Sequence, residues 1–191
     1  MEANEMRLDP EQSLRLITAT IAKTRDNIRA MSDCFLLWGW LIAGASFAFY
    51  GLHAFTDTTL YFLPFPLVVL AGGIWTIRFF RRMKAGTETW LNWFLKQLWA
   101  TIGVCFLLVV AMSVVKHQLP FTYTLLLGGL GTLVSGLVMR FRPLIGGGIL
   151  FLLLACCSVV VSDAIKPLLQ GVAVMGGYLI PGYLLKYSKT A

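Results

Sequence analysis

Six stretches of about 20 residues, near positions 34–54, 60–80, 97–115, 120–139, 143–162 and 164–185, are apolar around their whole circumference. A helix serving a water-soluble core needs only one apolar stripe, with polar faces on the remaining sides. A helix apolar all round is either deep inside a large protein or surrounded by lipid. With 191 residues, 58% of them hydrophobic and 13% charged, the chain has more apolar surface than it can bury in a core of its own. Each stretch reaches across roughly 30 Å of hydrocarbon at 1.5 Å per residue. The fold class that follows is all-α, a six-span transmembrane helical bundle over residues 32–191. Pro120 and Pro143 stand where spans four and five begin, positions at which a missing amide hydrogen costs nothing. Ser162, Asp163, Lys166 and Pro167 mark a tight hairpin between spans five and six.

Residues 1–31 precede the bundle and are a different kind of sequence. Asp9 can cap a helix and Pro10 suits its first position, and Leu14, Ile17, Ile21, Ile28 and Met31 recur near helical spacing. Arg15, Lys23, Arg25, Asp26 and Arg29 occupy the other faces. The pattern predicts an amphipathic cytoplasmic helix from Pro10 to Met31, lying on the membrane surface or packed under the bundle. A second reading makes it a solvated extension of the first span. Four acidic residues before Thr20, and no short apolar core ahead of a small-residue cleavage site, argue against a signal peptide.

The lysines and arginines set an orientation. Of the sixteen, five precede span one, five lie from Arg78 to Lys96, two are Arg140 and Arg142, and two are Lys186 and Lys189. With six spans these fourteen fall on one side and only Lys116 and Lys166 on the other. Basic residues are held back on the cytoplasmic side, so both termini are expected in the cytoplasm of a bacterial inner membrane. Arg15, Lys23, Arg25, Arg29, Arg81, Arg82 and Lys84 form the expected contact surface for anionic lipid or a soluble cytoplasmic partner. Trp90, Trp93, Phe94 and Trp99 are expected to anchor the headgroup region, because an indole has an apolar body and one polar hydrogen. A helix beginning near Thr87 and running along the interface into span three would carry them.

Small residues recur at helical spacing in Gly39 and Ala43, in Gly128, Thr132 and Gly136, in Gly131 and Ser135, and in Ala173 and Gly177. They let helix backbones approach closely, either within one bundle or across a homodimer face. Pro64 with Pro66 and Pro181 with Gly182 read as helix breaks, where freed carbonyls can meet an ion or substrate. Gly146, Gly147 and Gly148 lack the strand and the lysine of a phosphate loop. The central part of every span lacks an ionisable residue, which weighs against ion-coupled transport. Ser46, Ser113, Ser135 and Ser158 are hydroxyls that could still coordinate a ligand. His53 and His117, with Asp57, are too loosely placed for a metal reading, and Ser46 and His53 on one span do not make a nucleophile and base. Cys34, Cys105, Cys156 and Cys157 show no metal-ligand spacing and read as small buried hydrophobes.

Ser13-Leu-Arg-Leu-Ile17, Thr24-Arg-Asp-Asn-Ile28, Phe35-Leu-Leu-Trp-Gly-Trp-Leu41 and Ile180-Pro-Gly-Tyr-Leu-Leu185 resemble a family of small multi-span membrane proteins from Bacteroidetes. The resemblance implies a helical bundle with a cytoplasmic N-terminal helix, and it brings no activity or site residues. The expected function is that of a non-enzymatic membrane protein, regulatory or structural, with a basic cytoplasmic face. The alternative is a small-solute transporter or channel, dimeric in form. Neither reading needs a cofactor, a metal or nucleic acid.

Overall fold

The computed structural model describes residues 10–56, 60–82 and 90–187; between residues 10 and 30 the described side chains are those of Leu14, Arg15 and Thr18. The elements are α1 (Pro10–Phe55), α2 (Pro64–Arg82), α3 (Trp90–Val115), α4 (Phe121–Val138), α5 (Arg142–Val160), α6 (Lys166–Val174) and α7 (Ile180–Tyr187). A π-helical turn, Met175–Leu179, joins α6 to α7. No strand occurs among the described residues.

Five stretches are long and apolar enough to cross a membrane: Met31–Phe55, Trp90–Val115, Phe121–Val138, Arg142–Val160 and Lys166–Tyr187. The second predicted span is shorter. Its apolar helix runs from Pro64 to Phe79, about 24 Å at 1.5 Å per residue. Pro64 opens α2 after a turn at residues 60–63, so Pro64 and Pro66 sit in its first turn, where no amide hydrogen is needed. They start a helix and do not break one.

The N-terminal helix and the first span are one element of 46 residues. Neither glycine nor proline occurs between Glu11 and Trp38, so nothing in the sequence ends the helix at Met31. The separate helix expected over Pro10 to Met31 is therefore replaced by the second reading, an extension of the first span.

The pairs α1–α7, α1–α2, α3–α4 and α4–α5 run antiparallel. Going along α1, Asp33 meets Lys186, Leu36 meets Gly182, Gly39 meets Leu179 and Phe47 meets Gly171. Trp38 lies against Gly72 and donates to Thr76 Oγ1 at 3.1 Å, while Phe49 meets Phe65. Trp99 of α3 reaches Ser135 of α4, and α4 lies along α5 from Gly136 against Ile145 to Thr122 against Ser158. These ladders make one bundle with two ends.

Four aromatic rings fill the interior between α1, α3, α5 and the π turn. Phe35, Trp99 and Tyr178 meet pairwise at centroid distances of 5.7, 5.7 and 6.0 Å, and Phe151 lies 5.0 Å from Tyr178. Buried hydroxyls other than that of Ser46 find partners on their own or adjacent helices: Thr132 and Ser135 donate to the carbonyls of Gly128 and Gly131, and Ser158 donates to Ala155. Gln170 Oε1 accepts from Thr124 Oγ1 at 2.7 Å. Without water to pair with, a polar group left unpartnered inside the bundle costs stability. The outer surface is the reverse: Val104, Leu107, Leu108, Met112 and Val114 of α3 are all more than half exposed. A face this apolar is covered by lipid in a membrane-embedded bundle.

Candidate functional site at the basic end of the bundle

The antiparallel ladders gather particular chain segments at one end. The C-terminal end of α2 lies at the level of Asp33, because Thr76 is already opposite Trp38. The connection from α4 to α5 faces α7: Phe141 and Pro143 share a cleft with Tyr183, Leu184 and Tyr187. The first turns of α3 join them, since Trp99 packs on Phe35 and bonds Ser135. Arg78, Arg81, Lys96, Arg140, Arg142 and Lys186 therefore share one end.

The opposite end is poorer in positive charge. Lys166 is paired with Asp163 at 2.6 Å, and Lys116 follows α3 directly. His53 stacks on Phe49 and meets Tyr61 edge-on, so it belongs to an aromatic cluster with Phe65 and Phe121. Asp57 lies outside the described residues.

Among the predicted contact residues, Arg15 is exposed on α1 and Arg81 is exposed near the end of α2. Lys23, Arg25 and Arg29 belong to α1 and Arg82 to α2, but their side chains lie outside the described residues, as does Lys84 altogether. Arg15 sits about 27 Å further along α1 than Asp33 at 1.5 Å per residue. The chain thus offers two basic zones, one on the bundle end and one on the helix that continues beyond it.

The aromatic anchors divide. Trp90 and Trp93 are exposed and Phe94 stacks on Trp90 at a centroid distance of 5.5 Å. Trp99 is different: it turns inward, packs edge-on against Phe35, and donates to Ser135 Oγ at 3.2 Å. Its indole N–H finds its partner inside the bundle instead of at the headgroups. Trp90 opens α3 itself, so among the described residues these aromatics are the first turns of the third span and no separate helix precedes it.

The second helix break also has a structural resolution. Pro181 lacks the N–H that would reach the Gly177 carbonyl four residues back, and its ring would crowd that oxygen. The chain widens into the π turn at Met175–Leu179, with the Ile180 N–H bonded to the Met175 carbonyl. The freed Gly177 oxygen then lies against Gly147 of α5, so close that a Cβ there would be 2.7 Å from it. Pro181 and Gly182 are both buried. The break is filled by a neighbouring backbone and leaves no room for an ion or substrate.

The small-residue stripes are likewise used up within one chain. A Cβ on Gly39 would meet Leu179 at 2.6 Å, and one on Gly131 would meet Ile102 at 2.5 Å. Gly128 and Gly177 face Phe151, while Ala43, Ala173, Thr132 and Ser135 are buried. Those positions are unavailable to a second copy.

Two features at the basic end were not anticipated. The cleft lined by Phe141, Pro143, Tyr183, Leu184 and Tyr187 has a volume of about 400 Å³ and is almost entirely apolar. Arg140, beside it, has a φ of 51°. The Arg140 N–H bonds the Leu137 carbonyl and the Phe141 N–H bonds the Gly136 carbonyl, a Schellman closure of α4 with arginine where glycine is usual. The sequence signal that could have pointed here is Arg140-Phe141-Arg142-Pro143, two cations around an aromatic residue before a helix-starting proline.

No protein-family model, curated protein or solved structure matches the chain.

Proposed function

We propose that this is a six-span protein of the bacterial inner membrane whose basic cytoplasmic end is held against the anionic leaflet, in a structural or regulatory role without catalysis. The observation that carries the reading is the gathering of Arg78, Arg81, Lys96, Arg140, Arg142 and Lys186 at one end of the bundle, against Lys116 and Lys166 among the described residues at the other. A basic residue near an anionic surface contributes about 1 kcal/mol of attraction, falling off within a Debye length. Six spans follow if α2 crosses with α1 as an antiparallel hairpin, its short apolar helix reaching across by local thinning of the bilayer. Both termini are then cytoplasmic, which agrees with the distribution of lysine and arginine. The packed aromatic interior around Tyr178 and the filled break at Pro181 favour this reading over a solute pathway.

Reporter fusions test it directly. Alkaline phosphatase joined after residue 58 and after Ser162 should be active in the periplasm, and joined after Ala191 inactive. Activity at Ala191 would overturn the six-span reading, since five spans put the C-terminus outside. A soluble partner is tested separately by affinity purification of the full chain and of a chain lacking residues 1–31; a protein lost with the deletion would point to α1's extension as its dock.

A further inference from the structure

We infer that the cleft between the α4–α5 connection and α7 is a binding site for one anionic diacyl phospholipid, its phosphate held by Arg140 and Arg142 and an acyl chain lying on Phe141, Pro143 and Leu184. The inference rests on the membrane reading above and names a site within it. Three observations carry it. The cleft has about 400 Å³ of apolar, open-sided space at the basic end of the bundle, within the range of about 300–1,000 Å³ typical of small-ligand sites. A lining that is almost entirely apolar selects hydrocarbon over a water-soluble anion.

Charge complementarity supplies the second. Arg140 and Arg142 are exposed, alternate along the chain with the two lining residues Phe141 and Pro143, and have no carboxylate partner among the described residues. Lys186, on α7, is occupied by Asp33 at 3.1 Å. Two exposed arginines next in sequence to lining residues of an apolar slot, without a carboxylate partner among the described residues, match the layout of a phospholipid, anionic at the head and apolar below, and a guanidinium can hold phosphate with two parallel hydrogen bonds.

Backbone conformation supplies the third. At φ 51° an arginine is disfavoured relative to glycine, and the Schellman closure would form more easily without a side chain. Tyr183 fixes the opposite wall, since its hydroxyl accepts from Trp40 Nε1 at 3.2 Å and its ring stacks with Tyr187.

Native mass spectrometry of the detergent-purified full chain, titrated with dioleoyl phosphatidylglycerol or dioleoyl phosphatidylcholine, tests this. The wild type should retain phosphatidylglycerol preferentially. Replacing both arginines, Arg140→Gly with Arg142→Gln, should weaken it by about 25-fold, about fivefold for each charge, and the glycine should keep or raise the melting temperature because it relieves the positive φ. Leu184→Trp, which fills the slot and leaves the charges, should weaken phosphatidylglycerol as well, and soluble glycerol phosphate should not compete. Unchanged phosphatidylglycerol binding in the double arginine variant, with loss on Arg15→Gln or Arg81→Gln, would overturn the cleft and leave the broader basic-face reading standing. A wild type with no preference for phosphatidylglycerol would overturn both.

Discussion

Replacing Gly148 with alanine adds one methyl group against the backbone of α4. A Cβ at that position would stand 2.6 Å from both the N and the Cα of Leu133, whereas ordinary contact begins at 3.4 Å. The shortfall is about 0.8 Å, and because the obstructing atoms are backbone no rotamer change can relieve it. Helices α4 and α5 must separate there, and a gap of 0.5–1 Å forfeits a quarter to a half of each contact's attraction. The neighbouring approaches, Gly136 to Ile145 and Gly129 to Leu152, would loosen with it. Overpacking of this kind costs about 1–3 kcal/mol, offset by about 1 kcal/mol from the better helix propensity of alanine. The net expectation is a loss of up to about 2 kcal/mol, a shift of as much as roughly 30-fold in the unfolding equilibrium. Gly146, two residues earlier, is the internal control: it has nothing within 4 Å of an added Cβ, so Gly146→Ala should be neutral or stabilising by up to about 1 kcal/mol. Equilibrium unfolding in mixed detergent micelles reads both variants on one scale. If Gly146→Ala and Gly148→Ala shift the midpoint equally, the close approach of α4 and α5 is not what holds this pair together.

Other substitutions probe separate parts of the bundle. Ser46 Oγ is fully buried and has no hydrogen-bond partner, so Ser46→Ala should raise stability by about 1 kcal/mol; a lower unfolding midpoint would mean the hydroxyl is satisfied in the membrane. Trp99→Phe removes the bond donated to Ser135 and should cost about 0.6–1.5 kcal/mol, with the change absent if the tryptophan serves only as a headgroup anchor. Lys186→Met breaks a half-exposed pair with Asp33 and should cost less than about 1 kcal/mol, disappearing at high salt; a larger, salt-independent loss measured by thermal melting would show that the pair is desolvated.

Much of the architecture was legible because it depends on quantities that add along the chain. Hydrophobic length marked five stretches that the structure has as membrane-capable helices, and prolines at 120 and 143 marked the starts of α4 and α5. The second stretch, 60–80, is longer in the sequence than its helix, since its outer end is a turn ahead of Pro64 and hydropathy does not distinguish an apolar turn from an apolar helix. The division at Met31 was read from a change of composition, but a helix ends where the backbone is interrupted, and from Glu11 to Trp38 nothing interrupts it. The cleft beside Arg140 was not legible at all, because its walls come from two segments some forty residues apart.

What the sequence alone determined is where this chain is apolar enough to need lipid and on which segments its positive charges lie, both properties of successive residues. Only the tertiary structure decided which way each helix is turned about its axis. It put Trp99 inside and Trp90 outside, used the glycine stripes within one chain, and closed the break at Pro181 on Gly147. Rotation about an axis is set by what the facing helix can accept, and where lipid is as apolar as leucine only the fit of backbone to backbone and donor to acceptor makes that choice.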